Sequence, residues 1–177
     1  MALKPTIFKL RIMLSDLDRN IYETLNLTVA QHPSETTERM MVRILAYCIN
    51  RDEHLDFGKG LSTADEPDLW LRTLDNRIAL WIDVGEPAAE RIKKASRISE
   101  AVRIYSFNSK SDMWWNQEGS KLASSGAEVF KVEWSQVQNL TTMAERSMDF
   151  ALTLSGGSAY FSATDQECEV SWRQLSP

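Results

Sequence analysis

The chain has 177 residues, of which 43% are hydrophobic and 25% are charged, as is ordinary for a globular protein. This length suits about one domain with a sizeable core. The formal net charge of −5 argues against a protein that coats nucleic acid by bulk attraction, although a local basic patch is compatible with it.

Alternating apolar residues predict a β-hairpin in the first part of the chain. Within residues 5–30, every second residue is apolar from Phe8 to Leu14 and again from Leu25 to Val29. This period of two is typical of strands with one buried face. The polar residues 15–20 between the two runs suit a turn.

The first long helix is predicted to begin near Ser34. Ser34 can cap free amides, and Glu35 suits the positive end of the helix dipole. Farther along, a core stripe repeats at helical spacing: Met41, Ile44, Leu45, Cys48 and Ile49. Glu38 lies three residues before Met41 and extends the buried face toward the helix start. Either this carboxylate points inward, or the long side chain bends to the rim.

Two acidic residues fifteen positions apart, Asp68 and Asp83, form the candidate site. Asp83 follows the apolar run 78–82, which reads as a strand buried on both faces. A buried carboxylate costs several kcal/mol unless it is paired, protonated or bound to a cation. If Asp68 and Asp83 converge at a sheet end, they suit Mg²⁺ beside a phosphate. The simpler alternative is that Asp83 caps the next helix and Asp68 is a turn residue.

A basic helix follows this site. Gly85 allows a tight turn, and Pro87 fits the first turn of a helix. The helix carries four cations: Arg91, Lys93, Lys94 and Arg97. They form either a solvated face or a surface that holds a phosphodiester against the metal. With a further strand over 101–107, the order in the core, residues 34–107, is helix, strand, strand, strand, helix, strand.

The last part of the chain is again predicted to be β. Alternation from Phe150 to Leu154 leads into Ser155-Gly156-Gly157-Ser158, a hairpin signal, and another strand covers about 167–175. We therefore expect an α/β fold with a mixed central sheet flanked by helices and with additional antiparallel strands from both termini. One domain over residues 1–177 is the simplest organisation.

The sequence also predicts the cellular location of the protein and the state of its cysteines. No apolar run approaches the roughly 20 residues that span a bilayer, and no signal peptide is evident. We therefore expect a cytoplasmic protein that has no membrane partner. Two cysteines, Cys48 and Cys168, are too few for a disulfide framework and are expected to be packed, reduced thiols.

Several blocks of the sequence together resemble the YaeQ family. They are residues 32–41 (HPSETTERMM), 64–70 (ADEPDLW), 80–85 (LWIDVG) and 91–95 (RIKKA), with Leu17-Asp18-Arg19-Asn20 and the initial Met-Ala-Leu-Lys. The similarity spans essentially the whole chain.

The resemblance implies a divergent PD-(D/E)xK nuclease fold, restriction-endonuclease-like, whose core has the element order predicted above. In that pattern a helix acid, the Asp after Pro and a strand acid hold Mg²⁺, and these places correspond to Glu38, Asp68 and Asp83. A lysine two residues after the strand acid aids the attacking water, but position 85 is glycine here. Lys93 is the best-placed substitute, and Lys59 is a weaker one.

Two functions compete, and a purely structural role is a third alternative. The first is a Mg²⁺-dependent phosphodiesterase or nuclease, with the metal on Asp68 and Asp83, with Glu38 as an outer ligand or base, and with Lys93 stabilising charge on phosphate. Nucleic acid would then contact Arg91, Lys94 and Arg97. The second is a catalytically inactive nuclease-fold module that binds nucleic acid or a protein partner in a regulatory role.

Overall fold

The computed structural model describes residues 3–177, apart from the side chain of Ser62. Within these residues the chain forms ten strands and four α-helices. They are β1 (Thr6–Asp16), β2 (Ile21–Gln31), α1 (Thr37–Ile49), β3 (Leu55–Phe57), β4 (Leu69–Arg72), β5 (Ile78–Val84), α2 (Ala89–Ile98), β6 (Val102–Ser106), α3 (Ser111–Glu118), β7 (Glu128–Val132), α4 (Trp134–Thr141), β8 (Ser147–Ser155), β9 (Ser158–Ser162) and β10 (Glu167–Gln174).

All the described strands belong to one mixed sheet, in the order β2-β1-β8-β9-β10-β7-β6-β5-β4-β3. The N-terminal hairpin and the β8-β9-β10 meander are antiparallel, as the alternation predicts. They meet through a parallel pair, β1 with β8, so the terminal strands are not antiparallel throughout. β10 joins the two halves of the sheet because it pairs first with β9 and then, from Trp172, with β7.

The middle of the chain has the predicted order of elements, since α1, β3, β4, β5, α2 and β6 follow one another. β3, β4 and β5 form an antiparallel meander, and β6 lies parallel to β5. β4 and β5 therefore run side by side in opposite directions, which brings the start of β4 next to the end of β5. This is where Asp68 and Asp83 lie.

Helices cover both faces of the sheet. Residues 40–48 of α1 are all buried, and the apolar ones among them join the larger core on one face together with Val137 and Leu140 of α4. The smaller core lies on the other face, where Ala89, Ile92 and Ala95 of α2 pack against Trp81 and Ile104. Every described helix is too short or too polar to cross a membrane.

The helix starts differ from the predicted ones in their capping residues. α1 begins at Thr37, and the side chain of Thr36, not that of Ser34, accepts the N–H of Arg39. The Ser34 hydroxyl instead lies 2.7 Å from Nδ1 of His32, which holds it in the preceding turn. At α2 the N-cap is Ala88, which forms no side-chain cap, so Asp83 does not cap this helix.

Both cysteines are free thiols. Cys48 is buried in α1, and this burial raises its pKa to about 12, so the thiol stays protonated near neutral pH. Cys168 of β10 is partly buried, and burial raises its pKa as well.

Candidate functional site: a carboxylate pair with arginine partners

Asp68 and Asp83 lie side by side at the edge of a cavity. The register of β4 with β5 pairs Leu69 with Ile82, and Asp68 and Asp83 are the residues next to this last pair. Oδ2 of Asp68 accepts the backbone N–H of Val84 at 2.8 Å. Both carboxylates line a cavity of about 370 Å³, here called the acidic cavity, whose charged side chains are Arg39, Glu66, Asp68, Asp83, Glu86 and Arg91.

Asp68 is paired with Arg39 of α1. Nη2 of Arg39 donates to Oδ1 of Asp68 at 2.6 Å, and Nη1 donates to Oε1 of Glu35 at 2.8 Å. Burial by itself lowers the pKa of Arg39, but Asp68 and Glu35 outweigh it, so the pKa of this guanidinium is raised above its ordinary value. Arg39 therefore stays charged and bridges two carboxylates.

Asp83 forms a bidentate ion pair with Arg91 of α2. Nε of Arg91 donates to Oδ2 at 2.8 Å, and Nη2 donates to Oδ1 at 3.2 Å. The hydrogen bond with Asp83 is the main cause of the raised pKa of Arg91. The guanidinium also donates to the carbonyl of Glu66 at 3.0 Å and lies over the ring of Trp81. Arg91 thus fastens the loop before β4 to α2.

A further ion pair, between Arg43 and Glu35, is linked to the acidic cavity through Arg39. Nε and Nη2 of Arg43 donate to the two carboxylate oxygens of Glu35 at 2.7 and 2.8 Å. Both side chains are almost fully buried. Glu35 therefore joins Arg43 to Arg39, and the chain of charges runs on to Asp68. Sequence reasoning missed this network, although Arg39 and Arg43 are four residues apart and so lie on one face of α1, and Glu35 precedes Arg39 by the same spacing.

The other predicted site residues lie apart from this cavity. Of the residues that the structure describes, its lining includes neither Glu38 nor Lys93. Glu38 is partly buried on α1. Lys93 pairs with Glu90 at 3.7 Å, and Lys94 pairs with Asp65 at 3.5 Å. Arg97 is exposed at the end of α2.

Two further positions bear on the missing lysine. Gly85 has a φ of +116°, a backbone conformation that side chains other than glycine rarely adopt. A lysine there would be strained even though a Cβ would have open space around it. Lys59 lies 3.9 Å from Glu66, and its backbone N–H donates to that carboxylate. The cation inside the cavity that contacts the strand acid is Arg91.

The oxygen atoms of Asp68 and Asp83 can be compared with the ligands that a magnesium ion requires. Carboxylate oxygens are the right ligands for Mg²⁺, but all four oxygens of Asp68 and Asp83 already accept N–H groups from Arg39, Val84 and Arg91. Across the described part of the chain, no three His, Cys, Asp or Glu residues are grouped so that they could hold a metal. In this arrangement the residues do not fit Mg²⁺.

The charges of the acidic cavity do not cancel completely. Among the lining side chains two guanidiniums face four carboxylates, and Lys59 lies 3.9 Å from one of these, Glu66, so a formal charge of −1 is left. Glu86 is not ion-paired in the way that Asp68 and Asp83 are. Its Oε2 accepts the Ser106 hydroxyl at 3.0 Å and the N–H of Phe107 at 3.2 Å, both neutral donors. The cavity therefore repels anions and attracts a cationic group.

Comparison with known proteins gives a consistent result. The family model described as "YaeQ protein" matches residues 1–172. The YaeQ protein of Salmonella typhi is 40% identical over 99% of this chain and all of its own length, and that of Escherichia coli K12 is 39% identical over the same shares.

Two crystal structures of YaeQ proteins share the fold. The structure from Xanthomonas axonopodis pv. citri has a TM-score of 0.93 and 32% identity, and it covers 97% of this chain and 98% of its own. The structure from Pseudomonas syringae has a TM-score of 0.92 and 34% identity, and it covers 98% and 97%.

Proposed function

We propose that this chain, which belongs to the YaeQ family, is a binding protein with a nuclease-like core. Its acidic cavity holds a cationic segment of a partner protein. The order α1, β3, β4, β5, α2, β6 supports the nuclease-like core, because it is the element order of the PD-(D/E)xK fold. We infer a regulatory role without hydrolysis because Asp68 and Asp83 are both paired with arginines.

The pairing of both acids with arginines is the observation that carries this proposal. A hydrolytic site of this kind needs free carboxylate oxygens for a metal and a lysine near the strand acid. Here Arg39 and Arg91 occupy the carboxylates, and the backbone at Gly85 is unsuited to a lysine. Each buried carboxylate is already compensated, so the cavity has no need of a metal ion for stability.

The nature of the partner follows from charge. A polyanion that entered the acidic cavity would meet a net negative charge. Three cations of α2 do not offset this, because Arg91, Lys93 and Lys94 each pair with a carboxylate of the same chain. The fourth, Arg97, is exposed at the far end of the helix and does not line the cavity. A lysine or arginine side chain of a partner is complementary to the same charge. The acidic cavity therefore favours a basic protein segment over nucleic acid.

A binding experiment tests this choice. A fluorescent peptide rich in Lys and Arg is expected to bind with an affinity that falls with salt, whereas a single-stranded oligonucleotide of the same length is not retained. Glu86→Gln removes one charge of the cavity and is expected to weaken peptide binding about tenfold, or about 1.4 kcal/mol. Fluorescence anisotropy over a salt series measures both.

The matched control is Glu145→Gln, which removes one negative charge at an exposed position outside the cavity lining. It is expected to leave the affinity for the peptide near that of the wild type. Binding of the oligonucleotide but not the peptide would contradict the proposal. Equal loss in Glu86→Gln and Glu145→Gln would do so too, because only overall charge would then matter.

A Mg²⁺-dependent phosphodiesterase is the second candidate, and one observation favours it. Asp68 directly precedes β4, Asp83 lies near the end of the neighbouring strand β5, and both line one cavity. For this candidate both guanidiniums must leave their carboxylates, and a cation such as Lys93 must reach the cavity from its place beside Glu90.

Nuclease assays separate the two candidates. We expect the wild type to cleave neither single- nor double-stranded DNA or RNA with Mg²⁺ or Mn²⁺. Metal-dependent cleavage that is lost in Asp83→Asn would overturn the binding proposal in favour of the enzyme. A further loss of about 10²-fold in Lys93→Ala would then identify Lys93 as the cation that stabilises phosphate charge. Circular dichroism of each variant shows that its fold is retained.

A further inference from the structure

β2 forms one edge of the ten-stranded sheet. It is eleven residues long, and its register with β1 is unbroken from Ile21 to Gln31. The opposite edge strand, β3, has only three residues. Short edge strands and β-bulges are among the devices that keep sheet edges from pairing with other chains. β2 has neither.

The backbone groups that β2 turns outward can be identified from the neighbouring strands. The N–H groups of Lys9 and Leu17 donate to carbonyls of Arg146 and Leu154 on the β8 side. Odd-numbered residues of β1 therefore face β8, and even-numbered ones face β2. Since the register pairs even residues of β1 with odd residues of β2, the even residues of β2 face away from the sheet: Tyr22, Thr24, Asn26, Thr28 and Ala30.

An independent contact agrees with this assignment. The carbonyl of Ala30 accepts Nη2 of Arg43 at 2.9 Å, as an outward-facing group is able to do. Within the described residues, the main-chain groups of Thr24, Asn26 and Thr28 have no such hydrogen bond outside the β1–β2 ladder. The central part of the edge is thus available for pairing.

The side chains of β2 do not prevent another strand from pairing with this edge either. The strand Ile-Tyr-Glu-Thr-Leu-Asn-Leu-Thr-Val-Ala-Gln contains no Lys, Arg or Pro. Charged side chains, especially Lys, and Pro are what natural edge strands use against pairing. The single charge belongs to Glu23, whose backbone faces β1 and whose carboxylate is paired with Arg51 of the same chain. Nothing in the strand opposes the addition of another strand.

We propose that β2 pairs antiparallel with β2 of a second copy of this chain, about a two-fold axis at Asn26. Asn26 is the midpoint of the strand and one of its outward-facing residues, so the three residues whose outward groups are free, Thr24, Asn26 and Thr28, find partners in one register. The outward carbonyl of Ala30 is already engaged by Arg43 and lies at the end of this register. A two-fold symmetric dimer needs a surface that is complementary to itself, and a strand whose central residue faces outward provides one. Pairing with an unrelated peptide would not require the central residue of β2 to face outward.

The side chains in this register are compatible with one another. Thr24 of one copy lies opposite Thr28 of the other, Tyr22 lies opposite Ala30, and Leu25 lies opposite Leu27. Thr–Thr pairs stabilise neighbouring antiparallel strands, and like charges directly opposite destabilise them. Glu23 lies opposite Val29, so the register contains no pair of like charges.

Charge exchange at the axis tests the proposal. The wild type is expected to sediment as a dimer in analytical ultracentrifugation. Asn26→Lys and Asn26→Asp each put like charges face to face and are expected to sediment as monomers. An equimolar mixture of the two variants is expected to regain the dimer, because Lys then faces Asp. This rescue also shows that both variants are folded. Gln117→Lys, at an exposed position of α3, is the control and is expected to remain dimeric.

Several results would overturn the proposal. A wild type that is monomeric up to submillimolar concentration has no such interface. A dimer that persists in Asn26→Lys uses another surface. Two monomeric variants that fail to associate when mixed would show that position 26 does not lie on the two-fold axis.

Discussion

A chain that lacks residues 1–30 is expected to be unable to fold. β1 lies inside the sheet between β2 and β8, so its removal leaves the edge of β8 unpaired and opens the larger core. Six buried side chains are lost: Phe8, Leu10, Ile12, Leu14, Leu25 and Val29. Each contributes about 1.5–3 kcal/mol of burial. The sum is on the order of 10 kcal/mol, which is comparable with the whole stability of a typical domain.

Denaturant unfolding followed by circular dichroism measures this effect. The wild type is expected to give one cooperative transition, and the truncated chain is expected to give none. A chain that lacks only residues 1–4, which precede β1, is the matched control and should retain the transition. A cooperative, monomeric chain without residues 1–30 would show that the hairpin is an appendage and not part of the core.

Local patterns predicted the strands of this fold better than their arrangement. Alternation in β1, β2 and β8 reflects one buried face per strand, and the burial of these strands follows that period. The parallel pair of β1 with β8 joins residues well over a hundred positions apart, so no turn or short loop encodes it. The switch of β10 from β9 to β7 depends on two partners at once and leaves no local pattern.

The positions of the site acids follow from sequence for a similar reason. A polar residue that ends an apolar run, such as Asp83, stands out, and the antiparallel pairing of its strand brings Asp68 beside it. The choice of partner for each carboxylate is different. It depends on which long side chain reaches the cavity from α1 or α2 after the helices pack. Arg91 reaches the cavity, whereas Lys93 pairs with Glu90.

The Arg43→Met variant is expected to lose about 3–5 kcal/mol of unfolding free energy. Arg43 and Glu35 have side chains only 4% and 2% exposed, and they share two hydrogen bonds. Removal of one partner leaves the other charge buried without full compensation, which is among the most destabilising changes in a protein interior. Arg39 still contacts Glu35, but it is also engaged by Asp68 and cannot replace both lost bonds. Urea denaturation at neutral pH measures the loss.

Two comparisons assign the effect to the buried pair. Arg11→Met removes a cation from an exposed ion pair with Asp149 and is expected to change the unfolding free energy by less than about 1 kcal/mol. The double variant with Glu35→Gln and Arg43→Met is expected to lose less than the sum of the single variants, because each single change leaves an uncompensated group that the double change removes. If Arg43→Met cost no more than Arg11→Met, the network from Arg43 through Glu35 and Arg39 to Asp68 would not hold α1 against the sheet. The arrangement of the acidic cavity would then need another cause.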